Sequence, residues 1–415
     1  MLSELYHTFC AENEIIPNNY ISAVLEETPK TEKYVLKLAG NDTLKPAERL
    51  HDRDALALSK CLLNTKDVTG LDLSYNFIRD DGIKHLTELL QVNYQLLRSL
   101  DLTFNELEDD GAGILSHCLQ SNTTLLSLTL SGNKVKNTGA MSLAGLLQVN
   151  NTLQVLRLAN CDMKTESVIA FAIALTTNQT LRCLDISRSL TFGPEEEWHW
   201  ALHFAHMLAL NQSLVELHLG TMGIMTCGIE RLSKGLLFNY TLKYLNLHSN
   251  RITRDDVQPL VNVLMKENCV LEVLDLSSNQ IQDEGAVLLS QALTSPNCSL
   301  RELSLCSNNI DCEGLLALAN ALNLNSTLTH LYIWGNHFKE SVCKAFRDLL
   351  DSGRLDPDHT DVRAYEVDGH VYLSWVFQTL RKRFYEPENN FSVETGARQE
   401  QPTNRIATKG MKFYV

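Results

Sequence analysis

The sequence predicts an α/β solenoid in which short parallel strands line the inside of an arc and helices pack on its outside. Three observations lead there. A segment of the form L-x-L-x-x-N recurs at nearly constant spacing, each recurrence joins a two-residue hydrophobic period to a helical one, and no catalytic fingerprint interrupts them.

The recurrence comes first. LDLSYNFIRDDG, Leu71 to Gly82, returns as LDLTFNELEDDG, LTLSGNKVKNTG, LNLHSNRITRDD, LDLSSNQIQDEG and LSLCSNNIDCEG. Its anchor falls at Asn76, Asn105, Asn133, Cys161, Ser189, Met222, Asn250, Asn279, Asn308 and Asn336, in steps of 29, 28, 28, 28, 33, 28, 29, 29 and 28. A degenerate unit, YVLKLAGN, opens the series at Asn41. Within a unit, residues such as Leu271, Leu274 and Leu276 alternate as a strand does, and the anchor then turns the chain. A glycine often follows six positions on, as at Gly82 and Gly111, and opens a run at helical spacing such as Ile83, Leu86, Leu89 and Leu90.

One such unit cannot bury enough apolar surface to offset its own ordering, so neighbours must stack and the ends must be capped. The expected division is an N-terminal helical cap over 1–35, repeats over 36–353, a C-terminal cap over 354–385 and a disordered tail over 386–415. Leu2, Leu5 and Phe9 would form the packed face of the first cap. Asp368-Gly369, between two alternating runs, signals a hairpin in the second.

Repeats of 28 and 29 residues with L-x-x-L-x-L-x-x-N and G-x-x-x-L-x-x-x-L resemble the ribonuclease-inhibitor class of leucine-rich repeats, whose fold is a leucine-rich-repeat solenoid, or horseshoe. The stretches ESVIAFAIALTTNQTL, LTHLYIWGNHF and DHTDVRAYEVDGHVYLSWVFQTLRKRFY are similar to one vertebrate branch of leucine-rich-repeat proteins, from about Leu36 to Tyr385. That resemblance implies the cytoplasm and nucleus, with the nucleolus, as location. It also implies a link to differentiation in stem or germ cells.

Composition narrows the partners. Against 50 Asp and Glu stand 36 Lys and Arg, a formal charge of -14, which disfavours direct nucleic-acid binding and suits a basic protein partner. The opening residues lack a basic and then apolar leader, and no apolar run is long enough for a membrane span. Eleven scattered cysteines without C-x-x-C pairs point to reduced thiols.

Some motifs tempt a different reading. N-x-[ST] sequons stand at Asn122, Asn150, Asn178, Asn211, Asn239, Asn297 and Asn325, but they share the repeat's period and read as helix-ending residues, not glycan sites. The longest unit, SLTFGPEEEWHWALHFAHML, places His199, His203 and His206 on one helix face with Glu195 and Glu196. Metal-ligand spacing is present there, yet Ala201, Phe204, Ala205 and Leu208 mark the other face as core, so solvated histidines on the outside are expected and no metal. Asp80-Asp81 and Asp109-Asp110 read as a solvated loop face sooner than as an acidic rim for a basic ligand, and Arg381-Lys382-Arg383 equally as the cationic end of a cap helix or as part of a nuclear-import signal.

Strand residues that alternate with the leucines point into the hollow. The candidate partner-binding residues there are Asp72, Tyr75, Phe104, His218, Tyr244, His248, His330, Tyr332 and Trp334, with Arg157, Glu216, Asp275 and Glu302 among their neighbours. Aromatics on such a face are usual interface anchors, and the alternative is that the C-terminal cap folds over Tyr332 and Trp334. The expectation is therefore a non-enzymatic protein–protein interaction scaffold without a cofactor. The alternatives are a GTPase activator like that of Ran, a structural subunit of an axonemal or preribosomal assembly, and an inhibitor of a basic ribonuclease.

Overall fold

The computed structural model describes residues 2–28, 33–43, 48–63, 65, 67–91, 97–189 and 194–387, so the expected tail lies almost wholly outside the described residues. The strands β1 (Tyr34–Lys37), β2 (Val68–Asp72), β3 (Ser99–Asp101), β4 (Ser127–Thr129), β5 (Val155–Arg157) and β6 (Cys183–Asp185) follow one another in space. β7 (Glu216–His218), β8 (Tyr244–Asn246), β9 (Val273–Asp275), β10 (Glu302–Ser304) and β11 (His330–Tyr332) continue the same sheet. Every pairing is parallel, and the central leucines of β2 to β11 stack in register from Leu71 to Leu331. All ten are buried, so each strand turns its middle residue to the core and its flanking residues to the hollow.

Helices α1 (Leu2–Glu12) and α2 (Asn19–Glu26) precede the array, and α3 (Asp52–Leu62), α4 (Asp80–Gln91), α5 (Asp109–Leu119), α6 (Lys136–Leu147) and α7 (Thr165–Leu175) pack outside it. The outer layer continues with α8 (Pro194–Leu210), α9 (Thr226–Leu236), α10 (Val257–Leu264), α11 (Gln282–Leu293), α12 (Cys312–Leu324) and α13 (Glu340–Asp351). The long 33-residue step is absorbed by α8, which at 17 residues exceeds its neighbours.

Side-chain ladders hold the units together. Asn133 Nδ2 donates to Leu102 O and Leu130 O at 2.8 Å each, and its Oδ1 accepts from Leu107 N. Asn76, Asn105, Asn250, Asn279, Asn308 and Asn336 make the corresponding bonds from buried positions. Asn41, by contrast, is exposed. The residue before each anchor from Asn76 to Asn336 takes a left-handed backbone, as at Tyr75 (φ 60), Phe104 (φ 51) and Ser307 (φ 54). At Gly132 (φ 77) a Cβ would meet the Phe104 ring, so glycine is required there.

The sequons form a second ladder. Asn150, Asn178, Asn211 and Asn239 each donate Nδ2 to the carbonyl of the preceding asparagine in that series, beginning at Asn122. Their Oδ1 atoms close the turn into the next strand by accepting two amides, as Asn150 does from Thr152 and Leu153. In these five the nitrogen that would carry a glycan is buried and already donating. Cations extend the ladder: Lys266 Nζ donates to Leu236 O, and Arg354 donates to Leu322 O and Leu328 O. A third set of bonds uses carboxylates. Asp52, Asp80, Glu197 and Asp283 accept backbone amides at the start of the next unit's helix, so Asp80 serves as a cap and not as part of a free acidic rim.

Each end of the array is covered. In α1 the buried residues are Ser3, Tyr6 and Cys10, and Leu2 and Phe9 pack partly buried against the core, whereas Leu5 is exposed, which corrects Leu5 as part of the expected face. The rotation is set by Tyr6, whose hydroxyl accepts from Asn18 N at 3.0 Å where α2 begins. At the far end β12 (Val362–Val367) and β13 (His370–Trp375) form an antiparallel hairpin that turns at Asp368 and Gly369 and packs on α13. Asp361 closes the last strand, accepting from Ile333 N and Trp334 N.

Residues 376–387 then leave the hairpin and run across the hollow. This segment, the strap, contains no helix, so Arg381-Lys382-Arg383 does not end one. It travels from β11 back toward β5 against the strand order.

Candidate functional site

The strands place a row of polar side chains on the concave face, and the strap lies over its middle. Glu216, fully buried on β7, is the centre. Its Oε1 lies 2.6 Å from His218 Nε2 and 3.6 Å from the Arg157 guanidinium. Its Oε2 accepts from the backbone amides of Phe384, at 3.0 Å, and Tyr385, at 2.6 Å. Burial pushes the Glu216 carboxyl up, but the bond and charge of His218, the Tyr385 amide and the Arg157 guanidinium outweigh it and hold the group below the usual carboxylate range.

The strap is gripped at three further points. Tyr244 Oη donates to Arg381 O at 3.1 Å, the Arg381 guanidinium pairs with the buried Glu302, and Tyr385 Oη donates to Gln154 Oε1 at 2.7 Å. Leu380 and Phe384 meet Tyr244, Val273 and Tyr332 in a small apolar cluster of their own. Burial, then the charges of Asp275 and Glu216, push the Tyr244 hydroxyl far up, so it stays a donor at all ordinary pH.

The nine candidate residues therefore fall into three groups. His218, Tyr244 and Tyr332 are 5%, 2% and 4% exposed, because the strap covers them; this corrects an open position for His218 and Tyr244, whereas for Tyr332 cover by the C-terminal end was the alternative. Tyr75 and Phe104 belong to the turn after the strand, where their rings stack at 5.0 Å, and not to the sheet face itself. Asp72, His248, His330 and Trp334 keep partial exposure. His248 bonds Asn246 Oδ1 through Nδ1 at 2.8 Å, and His330 stacks on His359 at 3.8 Å. Burial chiefly lowers the His330 pKa, and the neighbouring His359 lowers it further.

A cavity of about 550 Å³ remains between strap and sheet, lined by Asp185, Arg188, His248, Asp275, Trp334 and Lys382 among others. A second, of about 300 Å³, opens where the strap ends beside Asp72, Asp101, Arg157 and Arg383. Sequence reasoning placed Glu216 and Glu302 on this face but missed what they hold. The signal available was a basic and aromatic run, RKRFY, following the hairpin in a chain whose hollow is acidic.

Two clusters carry residue types that can ligate a metal. His199 and His206 are exposed and His203 half-buried on the outside of α8. Among the described residues, the ligand types that converge within 4.8 Å are instead Cys183, Glu216 and His218. Burial raises the Cys183 thiol well above its ordinary range, and the Arg157 guanidinium already sits against Glu216. That donor set is committed to His218, Arg157 and the strap amides, and it fits a cation poorly.

Comparison with known proteins adds the family. Residues 95–115, 121–144, 149–172, 267–290 and 297–319 match the family described as Leucine Rich repeat. Leucine-rich repeat-containing protein 34 of Mus musculus is 41% identical over 391 residues, which cover 92% of this chain and 93% of that protein. The chain belongs to the family of leucine-rich repeat-containing protein 34. The Homo sapiens relative of that name is 46% identical over 390 residues, covering 92% of this chain and 83% of the relative. Among solved structures, the chain is similar to that of the Rad7 and Elc1 complex in yeast, with 17% identity, a TM-score of 0.44 and 84% of each chain covered. Repeats of this class are protein-interaction modules. Among the described residues no helix is long and apolar enough to cross a membrane.

Proposed function

We propose that this chain is a non-enzymatic scaffold that grips protein partners in its concave groove. It acts in the cytoplasm and nucleus, including the nucleolus, in cells undergoing differentiation. The observation that carries the reading is the concave face itself. Eleven strands display a preformed row of carboxylates, hydroxyls and aromatics, and that row already grips a peptide segment of the chain's own. A preformed face spares a partner the ordering cost on one side of the interface. The groups that could do chemistry, Glu216, His218 and Cys183, are sealed beneath the strap and bonded to one another or to it, which supports binding over catalysis.

The test is affinity purification of the full chain from cells, beside a variant carrying Asp275→Arg and Trp334→Ala in the uncovered part of the groove. Loss of specific partners from the variant is the expected result. An unchanged partner set contradicts the groove as the binding surface. Imaging of the same tagged chain checks location, and exclusion from the nucleus contradicts that part of the reading.

A further inference from the structure

We infer that the concave groove recognises an extended segment of a partner protein in which adjacent cations are followed by an aromatic residue, in competition with the chain's own residues 380–386. This rests on the scaffold reading above and names the chemistry of its ligand.

The strap is the first argument, because it displays what the groove accepts. It crosses the strands instead of adding to the sheet, so its hold comes from a few side-chain points and not from a ladder. Those points are generic to peptides. Glu216 takes two consecutive backbone amides, Glu302 takes a guanidinium, Tyr244 donates to a backbone carbonyl, and the Tyr244–Tyr332 surface takes an apolar or aromatic side chain. Any extended basic segment with an aromatic at the right interval can make the same bonds. Arginine suits the Glu302 position better than lysine because its planar fork matches a carboxylate.

The second argument is that the strap uses the groove incompletely. Arg381, Lys382 and Arg383 are all exposed, and only Leu380 of the segment is well buried. Carboxylates remain on both sides of it, Asp185 and Asp275 at the larger cavity and Asp72 and Asp101 at the smaller. The cations facing the same space from the sheet are Lys37, Arg98, Arg157 and Arg188, and Arg157 is already spent on Glu216. A segment richer in well-placed cations than the strap would gain these acceptors. An aromatic can stack on Trp334 or Trp375 in the larger cavity, which the strap leaves open.

The third argument is competition. A tethered segment competes at an effective concentration of about millimolar, so a free ligand meets a groove whose open fraction is small. Apparent affinity is the intrinsic affinity reduced by that fraction.

The experiment uses a fluorescent peptide with the sequence of residues 380–387, LRKRFYEP, titrated by anisotropy into the full chain and into a full-length F384A/Y385A variant. The expected result is binding at least about tenfold tighter to the variant than to the unaltered chain, since the variant's strap has lost the Phe384 ring contact and the Tyr385–Gln154 bond and vacates the groove more often. The same peptide carrying R381E/K382E/R383E should bind neither. Should the F384A/Y385A chain fail to fold, R381E in the full chain, which changes an exposed strap residue, provides the open groove instead. Absence of binding to a folded open-groove variant overturns the inference and makes the strap a permanent part of the core. Equal binding of the charge-inverted peptide also overturns it. Failure of the scaffold reading shows separately, as an unchanged partner set in the Asp275→Arg, Trp334→Ala purification whatever the peptide does.

Discussion

The units around β2 to β4 and those around β5 to β7 share one architecture but differ in their anchors. The first group is tied by Asn76, Asn105 and Asn133, each with its amide bridging two units. The second has Cys161, Ser189 and Met222 at the same position. Cys161 retains a bond to Leu130 O and Ser189 one to Ile186 O, whereas the Met222 backbone leans on Asn250. The overlong unit lies here too, and so do Arg157, Cys183, Glu216 and His218. Repetition stabilises the array by making the same bonds many times. The place where the pattern lapses is the place where the concave face acquires a buried ionic cluster, and that cluster holds the far end of the resident peptide.

That contrast can be broken from either side. The largest expected effect is Glu216→Ala, which strands the Arg157 guanidinium and two strap amides. Unpairing a buried ionic group costs about 3–5 kcal/mol, read as a lower denaturation midpoint accompanied by proteolytic cleavage within 376–387. A midpoint equal to that of the unaltered chain contradicts Glu216 as the centre of the site. Next comes Asn133→Ala in the regular region. It orphans Leu107 N and leaves Leu102 O and Leu130 O with Asn105 Nδ2 and Cys161 Sγ alone, so a loss of about 1–3 kcal/mol is expected with the strap still protected.

Acid distinguishes the two regions more gently. Because the Glu216 carboxyl is held below its ordinary value of 4.5, its contribution is complete above that pH and is lost as pH falls through the lower folded value. Glu216→Gln should therefore flatten the fall in stability below pH 4.5, and Asn133→Ala should leave its shape unchanged. Asp101 and Asp361 work the other way, since burial raises them and protonation relieves them. The smallest effect is Cys161→Asn, which restores the regular anchor and should stabilise the chain by about 1 kcal/mol, measured by thermal melting.

Much of the fold was legible because it is periodic. Leucines at L-x-L spacing announce strands, and runs such as Ile83, Leu86, Leu89 and Leu90 announce helices, wherever a unit recurs. The sequons were legible as turn positions of the repeat, but the hydrogen bonds that run from one unit to the next through Asn122, Asn150, Asn178, Asn211 and Asn239 were not, since a turn propensity does not specify its acceptor. The candidate site was legible only in part. Alternation on β7, β8 and β11 put His218, Tyr244 and Tyr332 on the correct face of the sheet. It could not show that His218 and Tyr244 are covered, because the cover comes from residues such as Tyr385, which pairs with Glu216 across 169 positions of chain. A segment that occurs once has no period to read. Tyr75 and Phe104 were misplaced for a related reason: the alternation breaks where the backbone turns left-handed.

The central claim is that Glu216 holds the strap in the groove, and amide hydrogen exchange at Phe384 and Tyr385 tests it most directly. The account predicts protected amides in the unaltered chain and fast exchange at both in Glu216→Gln, with β3 and β4 unchanged. Exchange at unprotected rates in the unaltered chain would contradict it, as would protection that survives the substitution.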